Sequence, residues 1–482
     1  MFMKIIRISH FITLFLLFSL YSHSAFSQTI AAGSNFTLSI CLDSTVKSWG
    51  YNYYGQLGLA DTFDRHAPEQ IPGLSGISAV DAGEWHALAL KSNGTVWSWG
   101  NNFNGQLGTG YYINSSVPVQ VFNLNNVKAI ASGQNHCLAL KSDSTVWDWG
   151  YNQYGQLGNG TTNLVACNCN PVAVPVSNLT HIIAIAGGGF HSLALRSDST
   201  IWAWGRNNNG QLGDSTTLDS SIPVQIRALS GIVAISAGNT HSIALKSDGT
   251  IYVWGGNSNG QLGDSSLTDK YFPVKLNGLV NIMSISAGFN HSLALKNDST
   301  MCSWGNNDFS QLGDNSLLDK NYPVSVQNIS GISEINAGFS HSIALKNNFS
   351  VQAWGNNEHG IGDGTVVLFG CHCRMIPVQI INWCSPLGID ENNLNELLIT
   401  VYPNPFISET TVSVKGNRKF NSIKIKDVLG REIMNEKLNQ PIQANSGEWS
   451  FDLIGQDWTR GIYFLQLEDL DKKCFNKMII IQ

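Results

Sequence analysis

The sequence predicts an all-β chain: a seven-bladed β-propeller followed by a small antiparallel β-sandwich-like tail domain. Three observations predict it. Trp-Gly recurs at Trp49, Trp99, Trp149, Trp204, Trp254, Trp304 and Trp354, at spacings of 50, 50, 55, 50, 50 and 50 residues. Each interval carries a hairpin pattern whose first strand is apolar on both faces. From Asn395 onward the repeat stops and apolar and polar residues alternate. The composition agrees: 13% of 482 residues are charged, with 47 Gly and 14 Trp, which suits short strands and tight turns.

Taken in order, residues 1–27 read as a secretory signal peptide. Lys4 and Arg7 precede an apolar stretch from Phe11 to Leu20, and Ala25-Phe26-Ser27 supplies small residues for cleavage before Gln28. Ten apolar residues are about half of the roughly 20 that a spanning helix needs, so no transmembrane segment is expected in the mature chain. Residues 28–384 are assigned to the propeller, 385–396 to a linker and 397–482 to the tail.

The second unit is representative. Val80-Asp81-Ala82-Gly83 leads to His86-Ala87-Leu88-Ala89-Leu90, a turn at Ser92-Asn93-Gly94-Thr95, then Trp97-Ser98-Trp99-Gly100 and Gly105-Gln106-Leu107-Gly108. Asn-Gly and Asp-Gly at the turn favour a hairpin. Large His86, Leu88 and Leu90 alternate with small Ala87 and Ala89, so both faces of the strand must be covered. Small sheets stacked around an axis cover both, and closing the ring removes uncovered ends. The first and last strands are therefore expected to meet. The loops of blade six, Ser310-Gln311-Leu312-Gly313, and blade seven, Gly360-Ile361-Gly362, are expected to depart from the rest.

Residues 30–383 hold 15 basic and 21 acidic residues, a balance that argues against nucleic acid as a partner. Six histidines share one repeat position: His86, His136, His191, His241, His291 and His341, with Phe36 at that position in the first unit. A ring of imidazoles suggests metal or proton chemistry, but one residue per blade is a packing pattern, and the repeated tryptophans read the same way. No metal and no cofactor are expected. Two cysteine pairs break the repeat, Cys167-Asn168-Cys169 in blade three and Cys371-His372-Cys373 in blade seven. Cys371 or Cys373 is a candidate disulfide partner for Cys384. Acidic pairs such as Asp214 with Asp219, Asp264 with Asp269 and Asp314 with Asp319 lack the ligand density of a calcium loop and read as loop caps.

Ala-Gly, His-x-Leu-Ala-Leu and Trp-Gly-x-Asn-x-x-Gly-Gln-Leu-Gly are similar to the regulator of chromosome condensation repeat, and the likeness covers about 350 residues. It implies seven blades of four strands, on a fold whose members serve as exchange factors, light sensors, enzyme inhibitors and scaffolds. In the light sensors, clustered tryptophans carry the chromophore role, which puts Trp97 with Trp99, Trp147 with Trp149 and Trp202 with Trp204 in view, although core packing accounts for these pairs. In the tail, Tyr402-Pro403-Asn404-Pro405, Asp427-Val428-Leu429-Gly430-Arg431, Gly461-Ile462-Tyr463-Phe464-Leu465 and Lys477-Met478-Ile479-Ile480-Ile481 resemble the C-terminal sorting domain of the type IX secretion system. That resemblance implies passage through the periplasm, handling by the outer-membrane secretion machinery, and a final location at the cell surface or outside the cell. Asp-Ser-Thr at Asp43, Asp143, Asp198 and Asp298 resembles a short O-glycosylation acceptor of such bacteria and equally suits a turn. Tail strands are expected at 411–414, 422–426, 449–453, 462–467 and 477–481.

No nucleophile elbow, phosphate loop or zinc-protease helix is visible. The sequence thus reads as a non-enzymatic exported propeller that binds a protein or glycan through one rim, with the loops of blades three and seven foremost. A secreted enzyme inhibitor and a carbohydrate-active enzyme such as a polysaccharide lyase are the alternatives.

Overall fold

Every residue from His86 to Leu90 is buried, so this strand has no wet face and can exist only between two neighbours. In the computed structural model it is the second strand of a four-stranded antiparallel sheet, Ile77–Ala82, His86–Lys91, Val96–Gly100 and Ser115–Gln120, in that spatial order. Seven such sheets, each of four consecutive strands, make the ring. The structure describes residues 29–41, 43–162, 168–227, 229–366 and 372–380 of this ring. In the tail it describes 397–402, 409–416, 419–427, 432–443, 448–454, 461–469 and 474–481. The expected signal peptide and linker, Cys167, Cys371, Cys384, and Pro403, Asn404 and Pro405 of the tail motif lie outside the described residues.

The hairpin turns are built as their residues dictate. The third turn position is left-handed, at φ 79° for Gly94 and Gly249 and 64° for Ser144. Asp143 Oδ1 accepts from the Thr145 amide at 3.0 Å and from its hydroxyl at 2.6 Å. Asp-Ser-Thr is therefore a self-capped turn here. The outer strands carry Pro68, Pro118, Pro223, Pro273 and Pro323. Proline on an edge strand removes a donor that would otherwise invite strand pairing.

Around the axis, adjacent blades join through backbone bonds at the end of the inner strand, from Ser34 N to Glu84 O at 3.3 Å through to Phe339 N to Gly33 O at 3.1 Å. The glycine of Ala-Gly is required there. A Cβ on Gly83 would lie 2.0 Å from His86 Cε1 and 2.7 Å from Gly133 O.

The expected meeting of the two ends takes a specific form. Blade one (Ile30–Ala32 to Arg65–Gln70) and blade seven (Ile332–Ala337 to Cys373–Gln379) share no strand. Side chains join the Phe339 N to Gly33 O backbone bond in closing the seam. Glu334 accepts from the Thr29 amide at 3.0 Å and from the Thr29 hydroxyl, and Asn336 Oδ1 accepts from Ala32 N at 3.0 Å.

The tail forms a three-stranded sheet, with Glu409–Gly416 between Leu397–Tyr402 and Glu448–Ile454, and a four-stranded sheet ordered Glu432–Gln443, Lys419–Asp427, Gly461–Asp469, Cys474–Ile481. Leu397–Tyr402 and Glu432–Gln443 add to the five strands expected from sequence. Val412, Ile423, Ile425, Leu465 and Leu467 are buried there.

Candidate functional site

The repeated residues form latches between blades. His191 Nε2 lies 2.9 Å from Ser242 Oγ of the next blade, and Ser242 donates to Gln211 O at 3.0 Å. The same chain runs His136 to Ser192 to Gln156, His241 to Ser292 to Gln261, and His291 to Ser342 to Gln311. Because the serine gives its one proton to the carbonyl, the histidine must donate from Nε2, and its full burial keeps the ring neutral. Burial pushes His86, His136, His191, His241 and His291 down to about 3 and His341 to about 4. Among the described residues, no group of three or more His, Cys, Asp or Glu side chains is arranged to hold a metal ion.

Two variations show how the latch works. His86 faces Cys137 Sγ at 3.0 Å, and His341 faces Thr37 Oγ1 at 3.1 Å across the seam. Blade one carries Phe36, and the next blade carries Ala87 in place of serine; both lie in one apolar cluster. An apolar pair thus substitutes for a polar one. Ser242→Ala alone is expected to cost about 1–3 kcal/mol, by stranding the His191 donor in a buried site. The double variant His191→Phe with Ser242→Ala should recover at least about 1 kcal/mol of the summed single losses in urea unfolding. Strict additivity would show that the two side chains do not act as a pair.

Each repeated tryptophan is fully buried and donates to the preceding blade: Trp99 Nε1 to Gln56 O at 2.8 Å, Trp254 to Gln211 O at 2.9 Å, and Trp49 to Ile361 O at 2.8 Å. Blade six does not depart as expected. Ser310 takes φ 60°, and Gln311 O still accepts from Trp354 at 2.9 Å. In blade seven the shorter loop presents Ile361 O instead.

The cysteine pairs flank turns. Asn168 and His372, the middle residues of the Cys-x-Cys triplets, are left-handed at φ 49° and 52°. Their carbonyls accept from Asn152 N and Asn357 N, each at 2.6 Å. In blades four to six the carboxylates of Asp219, Asp269 and Asp319 accept from the equivalent amides at 2.7, 2.9 and 2.7 Å. Cys169 and Cys373 are buried and disulfide-bonded, as is Cys41, which the sequence reading did not single out. Cys169 pairs in register with Tyr151 and Cys373 with Asn356, so both turns border the loop face of the ring.

On that face the structure gathers rings that sequence reasoning passed over. His359, Tyr51, Tyr53 and Tyr54 form a run with centroid spacings of 4.5, 6.4 and 5.0 Å. Tyr54 then meets Trp85 at 5.2 Å and Phe103 at 6.0 Å. The run crosses blades seven, one and two. Two of its members are open to solvent, Tyr53 at 66% and Phe103 at 60%. Carboxylates attend it: Asp64 Oδ2 pairs with His359 Nδ1 at 2.8 Å, and Glu84 accepts from Asn135 at 3.2 Å. Burial pushes the Glu84 carboxyl up. The signal for this cluster was available as departures from the repeat at Tyr51, Tyr54, Trp85 and His359.

Seven four-stranded sheets latched through His, Ser, Trp and Gln define a seven-bladed β-propeller. Family models match it in three forms: the RCC1-like domain over residues 165–382, and the regulator of chromosome condensation (RCC1) repeat over 43–90 with 93–140 and over 28–56, 77–106 and 127–156. The chain belongs to the RCC1 repeat family and ends in a secretion system C-terminal sorting domain, residues 400–482, of the type IX system.

The chain is 35% identical over 198 residues to the ultraviolet-B receptor UVR8 of Arabidopsis thaliana, covering 41% of this chain and 45% of the receptor. It is 38% identical over 55 residues to the mitochondrial RCC1 domain-containing protein RUG3 of the same plant, covering 11% of this chain and 12% of that one. It thus spans less than half the length of these curated relatives. Among solved structures, human WBSCR16 superposes with a TM-score of 0.59 at 25% identity, over 66% of this chain and 87% of that one. Prp20p of Saccharomyces cerevisiae gives 0.61 at 24% identity, over 75% and 89%, a likeness of fold alone. The sorting domain marks the chain as an exported protein, secreted or carried to the outer-membrane surface. No helix among the described residues is long and apolar enough to cross a membrane.

Proposed function

We propose that this protein is an exported, non-enzymatic binding module that reaches the exterior by way of the periplasm and holds a glycan on the loop face of its propeller. The observation that carries this reading is the ring run of blades seven, one and two. Tyr53 in the middle of it and Phe103 at one end are exposed, on a framework held by disulfide-bonded turns. Solvent-facing aromatics on a rigid support offer flat apolar faces to the C–H face of a pyranose. The carboxylates and amides beside them supply hydrogen bonds to hydroxyls. Tyr53→Ala combined with Phe103→Ala is expected to weaken retention on the best-bound member of a polysaccharide panel by at least about tenfold. Retention equal to that of the parent protein would remove the ring run as the site, and capture of a protein alone would replace the glycan.

A further inference from the structure

Blade four breaks the repeat at two positions that the fold places together. Directly after Trp-Gly it carries Arg206, where every other blade has an uncharged residue. Directly before the buried histidine it carries Phe190. The Arg206 amide donates to Phe190 O at 2.8 Å, which fixes the two segments side by side. The Arg206 guanidinium sits 4.8 Å from the Tyr154 ring centre and 5.8 Å from that of Phe190. Tyr151, Tyr154 and Phe190 are within 6.3 Å of one another. All four side chains are half-buried.

The charge on this arginine is unspent. Arg65, Arg196 and Arg374 each pair with a carboxylate, of Asp61 and Glu69, of Asp198, and of Asp363 respectively. Arg206 has no carboxylate partner and no side-chain hydrogen bond among the described residues, and the undescribed stretch 163–167 contains no acidic residue. A guanidinium resting on ring faces is held in place without using its N–H edge. That edge is a planar fork matched to a carboxylate. The chain as a whole is acidic, so attraction of an anion to this point depends on Arg206 itself.

We propose that Arg206, seated on Tyr154 and Phe190, is a subsite for the carboxylate of an acidic sugar, so that the glycan held by this module contains uronate residues. This rests on the glycan reading above. A uronate is favoured over an acidic peptide because its carboxylate is attached directly to a rigid ring. The sugar face can lie on Tyr151 or Phe190 while the carboxylate meets the guanidinium, whereas an aspartate or glutamate side chain has no face to offer the rings.

The test uses the full-length protein with three probes: an oligogalacturonate, the same oligomer fully methyl-esterified, and poly-glutamate of similar charge, with affinities measured by calorimetry. The parent protein is expected to bind the acid at least about tenfold more tightly than the ester. Arg206→Gln should erase that preference while leaving ester binding unchanged, and Arg206→Lys should restore only part of it. Thermal melting of each variant separates loss of the subsite from loss of the fold. Equal affinity for acid and ester in the parent, or a preference that survives in Arg206→Gln, would overturn the subsite and leave the glycan reading intact. Poly-glutamate binding as tight as the oligogalacturonate would assign Arg206 to an acidic peptide instead. Binding of neither glycan would sink the underlying reading and the subsite with it.

Discussion

Lowering the pH from about 5.5 to about 4 is expected to unfold the propeller steeply, at roughly 3 kcal/mol of stability per pH unit. Six buried histidines have their folded pKa values depressed by burial to about 3 or 4 from the usual 6.5. A group depressed in the folded state gives stability that is complete above the unfolded value and lost as pH falls below it, because only the unfolded chain takes the proton. Four buried carboxyls oppose this. Burial raises Asp81 to about 7, raises Asp148 well above the carboxylate range, and raises Glu84 and Glu334. A carboxyl raised in the folded state takes up fewer protons on unfolding than it would otherwise, the opposite sign to the histidines, and four such groups can cancel at most four of the six protons. At least two protons per molecule remain uncompensated, each worth about 1.4 kcal/mol per pH unit. Tryptophan fluorescence reads the transition directly, since the seven repeated indoles are fully buried and each spans a blade interface. An emission spectrum unchanged down to about pH 3.5 would contradict the assignment of neutral latches. Replacing one latch with the apolar pair, His191→Phe with Ser242→Ala, should lower the slope by one proton.

Trp49→Ala is expected to cost about 3–5 kcal/mol, the range for removing a large buried aromatic. Trp49 is fully buried among Ile30, Ile343, Ile361 and Ile380, where blade one meets blade seven. Its loss leaves a cavity and takes from Ile361 O its indole donor. The equivalent change at Trp254 should cost a similar amount, but the two should differ in where the ring loosens. Hydrogen exchange of the Thr29, Ile30 and Ala32 amides, held by Glu334 and Asn336, should quicken in Trp49→Ala and stay slow in Trp254→Ala. Equal protection of these amides in the two variants would mean that the seam is no weaker than any other interface.

The blades were legible because one spacing, one dry strand and one turn recur along the chain, and local chemistry agrees with global packing at every recurrence. The structural use of His86 and its counterparts was legible as a pattern. Its partner was not, because serine and histidine of one latch come from different units; only the joint exchange to Phe36 and Ala87 betrays it. Blade six was expected to differ because it lacks the first glycine. Ser310 adopts the left-handed conformation at modest cost and bonds Ser316 O at 2.7 Å. The ring run and the Arg206 cradle were missed because each draws one to three residues from the variable positions of neighbouring blades, whereas the cysteine triplets stood out as contiguous breaks. Those triplets carry turns that replace an aspartate side chain with a backbone carbonyl. In the tail, Glu432–Gln443 was unreadable as a strand because Pro441 and several polar residues interrupt its alternation.

The side-chain closure of the ring bears on the order in which the chain can assemble. A latch between successive blades joins residues 51 or 56 apart, whereas the seam joins Thr37 to His341, 304 apart. Closing a loop about six times longer sacrifices roughly 1.5 kcal/mol more chain entropy. Among the described residues no strand is exchanged between first and last blades to offset it, and the bonds that Glu334 makes to Thr29 and Ile30 add to the other contacts of the seam. The ring is therefore thermodynamically a linear stack with one long-range clasp: six interfaces can form as the chain condenses, and the seventh must wait until both ends exist.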